Sequence, residues 1–337
     1  MDYIQIGSSG LSSSRIGLGT WAIGGIGWGG TDENKSIKTI QRAIDTGINL
    51  FDTAPIYGFG VAEEIVGKAV KQTGKRDNLL IATKAGMEWT EEGLAWTNAS
   101  KRRIITELED SLRRLQMDYI DIYQLHYPDR DTPIEEVADT FAQLHKEGKI
   151  RAIGVSNFTT EQIDQWRRIA PLHSSQTLLN VLQKEWIPSF QYCHENNLGS
   201  LTWGTLAQGL LTGKFNETST FAEDDLRSVY PPFTGEYFTQ HLTAVEQLKT
   251  MARELGKNVA QLSVRWVLDQ PGVSVALWGA RSEHQLDDIA GVFDWSLSIE
   301  DIERVNQIVK NAVPEPLVDS TPPPPTKKEL QELGYLA

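Results

Sequence analysis

Short apolar runs return eight times along this chain, each followed by a helical pattern, and that recurrence restricts the fold more than any single motif does. The runs are RIGLG, INLFD, NLLIATK, YIDIYQLH, IRAIGVS, HSSQTL, LGSLTW and VSVALW, spread from Ile16 to about residue 290. Ile37, Ile40 and Ile44 mark one face of the first helix; Ile104, Leu108, Leu112 and Leu115 mark one face of the third. Strands that alternate with helices pair in parallel, because parallel neighbours need crossover connections. The runs are nearly continuous in apolar residues, as expected when both sheet faces are covered. Eight units over roughly 275 residues match a closed (β/α)8 TIM barrel, typically about 250 residues long. An open doubly wound sheet is the alternative. No Pro/Gly/Ser-rich linker divides the interior, so a single domain is expected over 1–337, with the barrel at about 16–290 and a C-terminal helix and tail at about 298–337.

Segments outside the repeat carry their own signals. YIQIGSSGLSSSRIG reads as an antiparallel hairpin before the first barrel strand, placed to plug the bottom. Residues 208 to about 239, after the seventh strand, form a loop too long for a neutral connector, which suggests a functional flap. Thr132-Pro133 with Glu135 and Thr159 with Gln162 have the chemistry of helix starts, and Gly148 that of a stop. Ser298 with Asp301 caps an additional helix, and TPPPPTKKELQELG reads as a polyproline spacer followed by a short capped helix.

Charge narrows the partners. A net charge of −13 and an isoelectric point near 5.0 argue against a general nucleic-acid or anionic-membrane surface, though not against a local basic pocket. One cysteine, Cys193, permits no internal disulfide and points to a reducing cytoplasm. The N-terminus lacks signal-peptide character, and no run of about 18 apolar residues is present to cross a bilayer. The histidines at 145, 173, 194, 241 and 284 show no metal-ligand spacing, so no metal is expected. GIGWGG, residues 25–30, matches G-x-G-x-x-G with Asp52 some way on, the arithmetic of a Rossmann dinucleotide site. The match is weak, because a long segment separates strand from helix and Trp28 stands where bare backbone should approach a phosphate.

The polar residues that end the strands are more telling. In a parallel barrel the carboxyl ends of the strands face the mouth, where such folds build their sites. Asp52 ends the second strand, Lys84 the third and His126 the fourth, while Tyr57 hangs from the loop after the second. An ordinary phenol, pKa about 10, exchanges protons poorly near neutrality. A nearby ammonium lowers that pKa whereas burial raises it. Lys84 in turn needs a countercharge, which Asp52 supplies. His126 can donate to a substrate oxygen or exchange a proton with Tyr57. Each residue alone has an ordinary structural reading; the four together read as a catalytic centre.

These residues sit in motifs that resemble the aldo-keto reductases: GLGTWAIGG, FDTAPIYG, IATKAG, DYIDIYQLHYPD, KIRAIGVSNF, WGTLAQGLLTGKF and WGARSEHQL, in order from about residue 16 to 290. The set most resembles the bacterial general-stress and sugar-reductase branch, itself similar to potassium-channel β-subunits. The resemblance implies reversible reduction of small aldehydes or ketones by NADPH, with Tyr57 as acid, Lys84 and Asp52 as its modulators and His126 as orienting donor. It places Gly19, Thr20, Trp21, Asp52, Ser156, Asn157, Gln176 and Trp203 beside the nicotinamide end. Gly204, Thr205, Leu206, Ala207, Gln208, Gly209 and Lys214 would line the pyrophosphate, with Arg227 clamping it. Gly279, Ala280, Arg281 and Gln285 would take the adenosine side, Arg281 and Gln285 meeting the 2′-phosphate at a helix start. Trp21, Trp28, Trp89 and Tyr127 are expected to wall an aromatic substrate pocket. The chain departs from the pattern at Leu179, where many relatives carry tyrosine, and at Trp186, where many carry an acid. An NADP(H)-binding redox sensor or regulatory subunit of low turnover is the alternative function. Oligomeric state is not legible.

Overall fold

A computed structural model describes residues 1–316 and 323–336 of the chain. In chain order it begins with an antiparallel hairpin, β1 (Tyr3–Gln5) and β2 (Ser12–Ser14), then β3 (Ile16–Gly19), α1 (Glu33–Asp45), β4 (Leu50–Asp52) and α2 (Val61–Thr73). Next come β5 (Leu80–Ala85), a second hairpin of β6 (Met87–Trp89) and β7 (Ala95–Thr97), and α3 (Lys101–Leu115). They are followed by β8 (Ile120–Leu125), α4 (Ile134–Lys146), β9 (Ile150–Ser156), α5 (Thr160–Arg167), β10 (Ser174–Leu178), α6 (Ile187–Glu195) and β11 (Gly199–Trp203). Two consecutive helices, α7 (Gly235–Glu254) and α8 (Val259–Leu268), precede β12 (Val275–Gly279), after which come α9 (Ile299–Ala312) and α10 (Lys327–Glu332). Strands β10-β11-β12-β3-β4-β5-β8-β9 close into a parallel barrel, the eightfold architecture expected from the repeat.

Two apolar shells follow from strand alternation, since successive side chains point to opposite faces. Phe51, Ile81, Tyr123 and Ile153 face outward into the layer between sheet and helices. Leu50, Leu80, Ala82, Ile122, Ala152, Leu201, Val275 and Leu277 face inward and fill the barrel, joined by Ile6 and Leu11 from the first hairpin. Each leucine, isoleucine, valine or phenylalanine among them, once fully buried, contributes about 1.5–3 kcal/mol of transfer free energy. The hairpin occupies the bottom, as its position implied: a Cβ on Gly7 would stand 2.5 Å from His173 O and 2.6 Å from Gly199 N, at the amino ends of β10 and β11. Two residues beyond Leu50, Ala82 and Ile122 on the same inward face stand Asp52, Lys84 and Gln124. The barrel is thus apolar in its lower layers and polar at its carboxyl end.

Several local expectations hold. Thr159 with Gln162 and Ser298 with Asp301 form capping boxes, as does Thr326 with Glu329. Gly148, at φ 77°, follows the end of α4. Others are corrected. Thr132 does not cap α4: Pro133 holds the N-cap position without a side-chain bond, and the Thr132 hydroxyl donates to Asp129 Oδ2 at 2.7 Å. The helical pattern expected after β12 is present as a 3-10 helix, Glu283–Val292. The long segment after β11 contains 3-10 turns at Ala207–Thr212, Leu226–Ser228 and Pro231–Phe233, and α7 already takes in its last residues. The first two residues of the proline spacer, Thr321 and Pro322, lie outside the described residues.

Candidate active site

Asp52, Lys84, Tyr57 and His126 meet at the carboxyl end of the barrel. Lys84 Nζ donates to Asp52 Oδ1 at 2.6 Å, to Thr53 O at 2.9 Å and to the Tyr57 hydroxyl at 3.3 Å. The second oxygen of Asp52 accepts from Gln176 Nε2 at 2.8 Å and Gln124 Nε2 at 3.2 Å. Carboxylate and ammonium are 2% and 1% exposed, so an unpaired charge here would be costly, and each has its partner. The His126 ring stands edge-on to that of Tyr57, centres 5.8 Å apart.

Backbone turns deliver these groups. Thr20 N and Oγ1 both donate to Asp52 O, at 3.0 and 2.9 Å, which ties the end of β4 to the loop after β3. Tyr57 lies on a tight turn, its N–H donating to Ala54 O at 3.1 Å. That turn rests directly on the Trp21–Gly24 backbone: a Cβ on Gly24 would come within 2.5 Å of the Tyr57 carbonyl carbon. Only glycine permits the approach, and alanine at Gly24 would push Tyr57 off its lysine.

The expected lowering of the phenol by Lys84 is overturned. Burial drives Tyr57 well above the usual phenol range, and the Asp52 charge adds to the rise. The ammonium is already in contact with a carboxylate, so its field at the phenol is largely cancelled. His126 moves the other way, well below its ordinary value, through burial and then repulsion from Lys84. The centre therefore holds a protonated phenol and a neutral imidazole at neutral pH.

Above this centre opens a cleft of about 1140 Å³. Every residue assigned to a cofactor by resemblance lines it except Ala207, whose side chain turns into the core. Asn157, at φ 61°, donates to His126 O at 3.0 Å and accepts from Trp203 Nε1 at 3.1 Å, which fixes the amide and the indole together. At the other end stand Lys214, Arg227 and Arg281. Burial lowers the Lys214 pKa, and repulsion from Arg227 and Arg281 lowers it further. Arg227 pairs with Asp225 at 2.5 Å, while the Arg281 guanidinium donates to Trp28 O and Gly30 O, so the glycine-rich loop packs against the strand ends instead of heading a Rossmann helix. Arg281 N donates to Gln285 Oε1 at 2.7 Å, and the helix start expected there is that of the 3-10 helix Glu283–Val292.

Trp21, Trp28 and Tyr127 line the cleft, but Trp89 does not. It sits on β6, stacked on Phe59 with ring centres 5.3 Å apart. Leu179 is core and Trp186 packs against core, so both departures concern packing. Sequence reasoning missed Gln124, Ile56, Met87 and Pro324. Gln124 was findable: it is a polar residue of inward parity in a buried strand, paired in register with Lys84. Among the described residues no cluster of metal ligands occurs, and no helix is long and apolar enough to cross a membrane.

The profile of the Aldo/keto reductase family matches residues 15–310. Aldo-keto reductase YhdN of Bacillus subtilis is 49% identical over 98% of this chain and 100% of its own. The NADH-specific methylglyoxal reductase of Escherichia coli is 32% identical over 92% of this chain and 99% of its own. Among solved structures, the glycerol dehydrogenase AKR11B4 from Gluconobacter oxydans superposes with a TM-score of 0.86 at 44% identity, covering 94% of this chain and 98% of that one.

Proposed function

The chain belongs to the aldo/keto reductase family, and from that premise we propose that it reduces aldehydes and ketones to alcohols with NADPH, Tyr57 supplying the proton. The observation that carries the reading is the Lys84 ammonium, held between Asp52 and the Tyr57 hydroxyl at the floor of the cleft. When bound, the reduced nicotinamide supplies the hydride that reaches the carbonyl carbon. The protein's own work is to position the carbonyl and protonate its oxygen. A phenol pushed up by burial keeps its proton until an alkoxide, a far stronger base, develops beside it. Lys84 then faces the phenolate that remains, and the two glutamine amides keep Asp52 from swinging toward it. Neutral His126 offers a ring N–H to the same oxygen and carries no charge to compete for the proton.

The cleft fits the cofactor. Lys214, Arg227 and Arg281 stand at its far end, where the Asp225 carboxylate already pairs with Arg227, and an anionic pyrophosphate with a 2′-phosphate would balance the remaining positive charge. Ser156, Asn157 and Gln176 offer hydroxyl and amide groups to a carboxamide, and Trp203 offers a ring face. Steady-state consumption of NADPH with a panel of uncharged aldehydes tests the reading. Tyr57→Phe should bind NADPH as wild type does yet lose about 10²–10⁴ in kcat, the usual scale of general acid catalysis. Equal turnover by both would end the role of Tyr57. Tight binding without turnover by the wild type would move the reading to a redox sensor or regulatory subunit.

A further inference from the structure

Met87 lines the cleft, yet what holds it lies outside the cleft. Glu107 Oε2 accepts the Gly86 N–H at 2.8 Å. Arg103 donates to Met87 O through Nε at 2.9 Å and Nη2 at 2.6 Å, and Nη2 also donates to Glu107 Oε1 at 3.1 Å. The pair sits on α3 and grips two consecutive residues where the chain leaves β5 for β6. Gly86 has φ 93°, a left-handed conformation that a side chain would strain, so the joint depends on glycine. The grip adds a side-chain anchor to the backbone ones, the Met87–Thr97 pairing of β6 with β7 and the Asn98 N–H donated to Gly86 O at 2.9 Å.

Glu107 is 1% exposed, and burial raises its pKa to about 7 although Arg103 and the Gly86 N–H both act to lower it. Its charged surroundings are few. On its own helix stand Arg103 and Arg114, the latter paired with Glu63 at 2.6 Å. From α2 comes Glu63 itself, which also accepts from Thr83 at 2.6 Å. From β8 comes Tyr123, held protonated by burial and donating to Ile104 O at 3.2 Å. An ionised carboxylate holds the guanidinium and the amide through charge-assisted bonds, roughly twice as strong as neutral ones. A protonated one keeps the shape and loses that strength. We propose that Glu107 and Arg103 are positioning residues that hold the Met87 wall of the carbonyl pocket from behind β5, and that protonation of Glu107 loosens the wall. The substrate half of this inference rests on the carbonyl-reductase reading; the mechanical half does not.

The two halves are separable in one experiment. The chain has 4 methionines, so methyl-¹³C-methionine labelling yields few signals, and Met87→Leu identifies the one needed. The Met87 methyl resonance should titrate with a midpoint of about 7 in the wild type and stay fixed in Glu107→Gln. With an uncharged aldehyde, wild-type KM should rise several-fold from about pH 8 to about pH 6 at nearly constant kcat, while Glu107→Gln shows the high value at both. Tyr57 and His126 are displaced out of that window in opposite directions and do not mimic the effect. Should Glu107→Gln fold poorly, Arg103→Lys keeps the charge, loses the forked grip on Met87 O, and should raise KM at pH 8 without lowering kcat. A methyl signal that is flat with pH, or that titrates equally in Glu107→Gln, overturns the proposal. A titrating signal with pH-independent KM overturns its substrate half. A titrating signal with no aldehyde consumed leaves the wall mechanism standing and sinks the reductase reading.

Discussion

Removing Asp52 should harm this protein far more than removing both members of its ion pair. Asp52→Ala leaves the Lys84 ammonium, 1% exposed, with only Thr53 O and the Tyr57 hydroxyl, takes the Asp52 acceptor from Gln124, and leaves Gln176 the longer bond to Gln124 Oε1 at 3.4 Å. Breaking one side of a buried pair costs about 3–5 kcal/mol. The loss has a natural ceiling: a lysine ammonium in water surrenders its proton at pH 7 for about 4.6 kcal/mol, beyond which deprotonation is the cheaper outcome. An unfolding entropy of roughly 2.1 cal/mol/K per residue over 337 residues amounts to about 0.7 kcal/mol/K, so Tm should fall by about 4–7 °C. Lys84→Met should cost less, because Asp52 keeps two amide donors. The double variant Asp52→Leu with Lys84→Met has no buried charge left and should recover most of the loss. All three should be inactive in aldehyde reduction. Calorimetry of the four proteins, with NADPH consumption beside it, decides the matter. If Asp52→Ala melts within about 1 °C of wild type, or if the double variant is worse than either single one, the pair is not the desolvated couple described.

Arg281→Ala removes a fork suited to a 2′-phosphate and should weaken NADPH by about 10- to 150-fold, the worth of a charged hydrogen bond, with a much smaller loss for NADH in fluorescence titration; equal losses contradict the assignment. Cys193 is buried on α6 and its thiol is pushed up to about 12, so a disulfide-exchange reagent should label the native protein at pH 8 only at the rate of unfolding. His126, His173 and His241 all have pKa values lowered by burial. The folded state then binds fewer protons than the unfolded one, so stability should fall as pH drops below about 6.5. Replacing His126 with Phe should flatten that slope in melting curves between about pH 7 and pH 5, and a steeper slope would contradict the sign.

Period and parity made the barrel and its polar rim legible, since Asp52 is simply the inward residue two places beyond Leu50. Trp89 was misplaced because residue type was read without its partners: MEW and AWT are two short strands around a turn at Thr90–Gly93, and the indole there is taken up by Phe59 and the Arg103 guanidinium. The acidity of Tyr57 was misjudged for a different reason. A sequence names the charge that stands near a phenol but not how completely water is excluded, and here exclusion outweighs a lysine already matched by its carboxylate. Gln124 was hidden by the apolar run around it, and Pro324 by some two hundred residues of intervening chain.

The hairpin that carries Ile6 and Leu11 does more than fill space. With the barrel corked from below, water can approach the ion pair only from the side on which a ligand arrives. In the proposed reaction, ligand binding would complete an enclosure that folding leaves one step short, and the local dielectric would fall before the phenol gives up its proton. A leak through the floor would undo this without touching any residue of the site.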